Sequence, residues 1–119
     1  MTRPVTSHWT TGGVAVIAAP ESFDMCTARP VRELTIQLQR DGATGVVIDL
    51  AAVTFMDTTA LAVIVGAHNR LSSAGSPLAV AAASGPVTRM FRVTGLTRLI
   101  PMHATVQDAI DSIQAQESQ

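Results

Sequence analysis

Lysine and tyrosine are absent from this chain, and its 119 residues include only one cysteine, one tryptophan and three phenylalanines. Without lysine there is no phosphate-binding loop of the Gly-x-x-x-x-Gly-Lys type, and neither Gly-x-Gly-x-x-Gly nor the nucleophile elbow Gly-x-Ser-x-Gly occurs. The commonest hydrolase reading of a short α/β chain falls away. A single cysteine, Cys26, cannot close an internal disulfide, which reads as an intracellular chain. Charge is scarce too. Eight arginines oppose nine acids for a net charge of −1, with no run of like sign, so nucleic-acid binding lacks its electrostatic basis. The longest apolar stretches, residues 46–53 and 61–65, fall short of the roughly 20 residues that span a bilayer. Met1-Thr2-Arg3-Pro4 is not followed by the apolar block of a signal peptide. A cytoplasmic protein that engages neither membrane nor nucleic acid is expected.

What is present is aliphatic. Hydrophobic residues make up 47% of the chain, enough for one core packed with Val, Ile, Leu, Ala and Met, and the length fits a single domain over 1–119. Residues 5–10 and 14–19 read as an antiparallel hairpin turned by Thr10-Thr11-Gly12-Gly13. Thr27 is placed to cap a helix bearing Val31, Leu34 and Leu38, with Pro30 in its first turn and Asp41-Gly42 at its end. A buried strand at 46–50 leads to a helix over 58–73 whose apolar stripe is Leu61, Ile64, Val65, His68 and Leu71. Another buried strand spans 78–82. Ser84-Gly85-Pro86 opens a short helix with Val87, Met90 and Phe91 inward, stopped by Gly95. A short strand is expected near 99–102. Thr105 and Asp108 resemble a capping box before a last helix carrying Val106, Ala109, Ile110 and Ile113. The core then runs from about residue 5 to 113, and the polar residues 114–119 are expected to fray. Repeated β-α units imply right-handed crossovers. The predicted fold is α/β, a mixed but mostly parallel central sheet with an antiparallel N-terminal hairpin and about four helices.

One junction stands out. The apolar run Val46-Val47-Ile48-Asp49-Leu50 leads into Phe55-Met56-Asp57-Thr58-Thr59, which opens the helix. Asp57 fits an N-cap or first-turn carboxylate, and Thr58 and Thr59 present hydroxyls where free N–H groups and the positive end of the helix dipole tolerate an anion. Loops beyond the carboxyl ends of sheet strands gather at one edge, so Asp24, Asp57 and Thr58 are expected on one surface. His68 is a lone histidine with no ligand-like spacing to His8 or His103, and Cys26 has no basic cluster beside it. No metal, cofactor or catalytic nucleophile is called for.

These residues carry a family resemblance. Asp49-Leu50, Val53, Phe55-Met56-Asp57-Thr58-Thr59 and Leu61 resemble the motif Asp-Leu-Ser-x-Val-x-Phe-Met-Asp-Ser-Ser/Thr-Gly-Leu of the bacterial anti-sigma factor antagonists, single-domain STAS proteins. Asp24-Met25-Cys26-Thr27-Ala28, Ser84-Gly85-Pro86-Val87-Thr88-Arg89-Met90-Phe91 and Thr94-Gly95-Leu96 are similar to other segments of that family. The resemblance implies a STAS fold and a non-enzymatic binding protein; with no apolar helix beyond the four needed to cover the sheet, a monomer is expected when the protein is alone. It implies that the protein binds an anti-sigma factor that is also a serine/threonine kinase, and so frees a sigma factor. It implies phosphorylation at Thr58, with Thr59 the second choice, which ends binding until a phosphatase reverses it. The implied partner-binding residues are Asp24, Met56, Asp57, Thr58, Thr59, Ala60 and Leu61. Two residues depart from the usual pattern. Ala60 replaces a glycine and Thr58 a serine, each adding a methyl expected beside the reactive hydroxyl. The alternative reading is an unphosphorylated STAS scaffold or sensor module in a signalling complex. An enzyme of small-molecule metabolism would need a deep polar pocket with titratable groups, for which the chain offers no clear set.

Overall fold

Residues 5–117 are described by the structure, a computed structural model. Strand β1 (Thr6–Trp9) is exposed along its length and turns into β2 (Val14–Ala18). Gly12 and Gly13 sit at φ 96° and 85°, a left-handed pair that side chains rarely adopt. After β3 (Ser22–Phe23) come α1 (Ala28–Arg40), β4 (Gly45–Asp49), β5 (Phe55–Met56), α2 (Thr58–Ser73), β6 (Leu78–Ala81), α3 (Gly85–Val93), a 3₁₀ turn at Leu96–Arg98, β7 (Met102–His103) and α4 (Val106–Glu117). The main sheet has the order β1-β2-β4-β6-β7, with β1 antiparallel to β2 and the other neighbours parallel. The mixed sheet, its hairpin and the four helices are those the periodicity predicts.

Helices cover the sheet unequally. On one face Ala15, Ile17, Val46, Ile48, Leu78 and Val80 pack with buried residues of α1, α2 and α3. On the other, Val14, Val16, Val47, Ala79 and Ala81 pack with Ala109, Ile110 and Ile113 of α4, with Val106 at their edge. This alternation is the period of two of a strand buried on both sides. Gly45 permits the close approach of α4, since a Cβ there would stand 2.6 Å from Ile113 Cγ2.

Several local expectations are corrected. The strand expected near 99–102 is present but displaced to Met102–His103. Gly95 at φ 78° ends α3 and starts the 3₁₀ turn, and β7 begins only at Met102, after Pro101 has accepted the Val80 N–H at 3.0 Å. In α2 the buried stripe is Ala60, Leu61, Ile64, Ala67 and Leu71, leaving Val65 and His68 half-buried. Thr27 occupies the N-cap position of α1 without capping it, because its hydroxyl turns back to donate to the Ser22 carbonyl at 2.6 Å. Of the 114–119 tail expected to fray, residues 114–117 are helical and Gln114 Nε2 donates to the Thr11 carbonyl at 2.7 Å, while residues 118–119 lie outside the described residues.

Candidate functional site

Beyond the carboxyl end of β4 the chain is led out of the sheet by its own hydrogen bonds. Asp49 Oδ1 accepts the Ala51 N–H at 2.9 Å, while buried Leu50 and Val53 hold the turn against the core. The Thr54 and Phe55 N–H groups then reach the Glu21 carbonyl, at 2.8 and 3.3 Å. β5 pairs in parallel with β3, Ser22 opposite Phe55 and Phe23 opposite Met56. The loops following β2 and β4 are thereby strapped into one surface, the topological edge where open α/β sheets place their sites.

Asp57 fastens this surface to α2. Its backbone is extended, φ −112° and ψ −177°, as an N-cap requires, and Oδ1 accepts the Ala60 N–H at 3.1 Å. Oδ2 accepts the Met25 N–H at 3.2 Å, from the other loop. Asp24 works within its own loop. Its Oδ1 accepts the Cys26 N–H at 2.9 Å, its carbonyl accepts from Thr27 and Ala28, and its N–H donates to Thr27 Oγ1 at 3.0 Å. Thr58 and Thr59 follow as the first two residues of α2, both exposed, and neither hydroxyl takes part in a hydrogen bond among the described residues. Two large apolar residues on the same strapped segments are exposed. Met25 is 74% exposed and Phe55 54% exposed, although water disfavours such area.

The model of the STAS domain family matches residues 9–109. This chain belongs to the STAS domain family. Its relatives include the anti-sigma F factor antagonist of Paenibacillus polymyxa, 26% identical over 103 residues that cover 86% of this chain and 88% of the relative. The crystal structure of an anti-sigma factor antagonist from Mycobacterium paratuberculosis superposes with a TM-score of 0.79 at 26% identity, covering 96% of this chain and 95% of that one. The Bacillus cell fate determinant SpoIIAA in its phosphorylated form shares the fold, with a TM-score of 0.73 at 21% identity over 92% of this chain and 98% of that one.

The STAS edge gathers Asp24, Asp57, Thr58 and Thr59, but not every expected contact residue is at the surface. Met56 and Leu61 are buried and Ala60 is wholly so. These three side chains back the face from the core. The Ala60 methyl lies wholly within the core, whereas Thr58 is exposed. Met25 and Phe55 were missed as candidates because a large apolar residue in a polar loop reads as an anchor to the core. The alternation of β5 carries a signal: with Met56 inward, Phe55 must face out.

Proposed function

We propose that this STAS domain is an anti-sigma factor antagonist. In its unmodified form the face formed by Met25, Phe55, Asp57, Thr58 and Thr59 binds an anti-sigma factor of the serine/threonine kinase type, which releases a sigma factor. The domain acts in the cytoplasm as a binding protein without catalysis, monomeric until the partner docks. The kinase transfers the γ-phosphoryl group of ATP to Thr58 Oγ1, the hydroxyl proton is lost and ADP leaves. A phosphatase later hydrolyses the ester and restores binding.

The observation that carries this reading is the unengaged, exposed Thr58 hydroxyl at the start of α2, on the sheet edge that also carries the exposed Met25 and Phe55. A surface of this kind suits a partner that covers it, and a hydroxyl within it suits a switch. The names of the antagonist relatives support the same conclusion, as does the phosphorylated form of one structural neighbour. A phosphate adds roughly −1.5 to −2 charge, which takes the chain from −1 to about −3 on the face to be covered. Burying that charge without a cation is costly. The phosphate would also repel the neighbouring Asp57 carboxylate, which holds the Met25 N–H, and so loosen the apolar half of the face.

The second reading, a STAS scaffold or sensor module that is never phosphorylated, draws on Thr58 standing where relatives of the resembled pattern usually carry serine. Incubation with ATP and the anti-sigma kinases of its genome, followed by intact-mass measurement, separates the two. A single added phosphate that maps to Thr58 and abolishes calorimetric binding supports the switch; unmodified protein that binds regardless supports the scaffold.

A further inference from the structure

Between α1 and α2 lies a groove of about 240 Å³, with Arg32 on one wall and Thr59, Ala62, Val63, Gly66 and Arg70 on the other. Thr59 opens it onto the face just described. The floor is made of small residues, and a Cβ at Gly66 would stand 3.5 Å from Arg70 Nη1, so the missing side chain leaves room around the guanidinium. Arg70 is held in place: its Nη2 donates to Thr35 Oγ1 at 2.7 Å, and the buried Thr35 hydroxyl donates to the Arg32 carbonyl at 2.7 Å. The anchor is neutral. Burial, and then the nearby positive charge of Arg32, hold Arg70 below the ordinary arginine range. Among the described residues the one ion pair is Arg29 with Glu33 at 3.1 Å, so neither groove arginine has a counter-ion.

Two guanidinium groups kept close without a carboxylate repel each other, and an anion placed between them relieves that repulsion. The guanidinium fork matches a carboxylate in two parallel hydrogen bonds. We propose that the groove receives an acidic side chain of the anti-sigma factor, with Arg32 and Arg70 forming the positive half of the interface beside Thr58. This rests on the reading of the Thr58 face as the partner-binding face. A protein that covers Thr58 and Thr59 also covers the mouth of the groove, which favours a tethered carboxylate over a free one.

The test is calorimetric titration of the full chain against each kinase-type anti-sigma factor of its genome. Arg32→Glu should weaken binding by about tenfold or more, the scale of losing a close interfacial charge pair. Arg29→Glu, the same charge change elsewhere on α1, should change it by no more than about twofold, as expected for an exposed pair. Arg32 and Arg29 are both exposed, and melting curves verify that each variant stays folded. Arg70→Gln, which removes the charge, should also weaken binding. Equal losses for Arg32→Glu and Arg29→Glu would reduce the effect to overall charge and overturn the groove. Unchanged binding by Arg32→Glu would overturn it as well. A melting rise in millimolar sulfate or glutamate that needs Arg32, combined with unchanged partner binding, would assign the groove to a free anion and overturn the proposal. Wild-type protein that binds none of the anti-sigma factors would sink the functional reading and the occupant of the groove with it.

Discussion

Asp57 carries two structural tasks on one carboxylate. One oxygen caps α2 through the Ala60 N–H and the other restrains the Met25 loop. Serine caps a helix about as well as aspartate but is too short to span both partners. Asp57→Ser should therefore change stability by less than about 1 kcal/mol, while hydrogen exchange at the Met25 amide accelerates and partner binding weakens. Met25 exchange at the wild-type rate would show that the second bond does not order the loop. At Thr58, replacement by alanine should leave both fold and binding intact. Thr58→Asp should fold equally well, because a first-turn carboxylate is favoured by roughly 0.3–1 kcal/mol, yet bind more weakly. Calorimetry that finds both variants as tight as wild type would remove Thr58 as the switch. Ala60→Gly should cost about 0.5–1 kcal/mol in helix propensity and leave the rate of Thr58 phosphorylation unchanged, since the methyl faces the core. A faster rate would mean that the methyl does crowd the acceptor.

Among the elements, α2 holds the site and the core together. Its N-terminus carries the candidate hydroxyls, and its buried stripe rests on the sheet through Ile64, which is fully buried. Ile64→Ala should destabilise the protein by about 2–5 kcal/mol in denaturant unfolding, the usual range for an emptied core site. A loss below about 1 kcal/mol would be too small for a fully packed position. The opposite layer depends on a close approach. A methyl at residue 45 would meet Ile113 Cγ2 at 2.6 Å and the Pro77 carbonyl at 3.2 Å. Gly45→Ala should cost about 1–3 kcal/mol through overpacking, with partner binding preserved in the fraction that remains folded. Wild-type stability of this variant would show that α4 shifts freely on β4.

At the scale of the whole molecule, three helices cover one sheet face and one covers the other, while both strapped loops lie at a single edge. A partner can thus reach Met25, Phe55 and Thr58 without disturbing the core. Because all four helices have their apolar sides engaged with the sheet, the free protein should scatter light as a monomer at micromolar concentration. An obligate dimer would indicate that the exposed apolar pair is already covered by a second copy.

The helices and the strands of the main sheet were readable from the sequence because they depend on neighbours along the chain, whereas the short pair β3 and β5 was not. Apolar periodicity, the glycine turns and the Asp57 cap are properties of consecutive residues, and they led to α2, its first-turn threonines and the hairpin. Tertiary structure decided what depends on distant residues. It turned the buried stripe of α2 onto Ala60 and Ala67, moved the last strand to Met102–His103 behind a 3₁₀ turn at Leu96–Arg98, and continued α4 to Glu117. It also left Met25 and Phe55 facing water and brought Arg32 and Arg70 together from separate helices. Burial and charge repulsion are set by whatever the fold places nearby, so the face and its groove became visible only once the helices were packed.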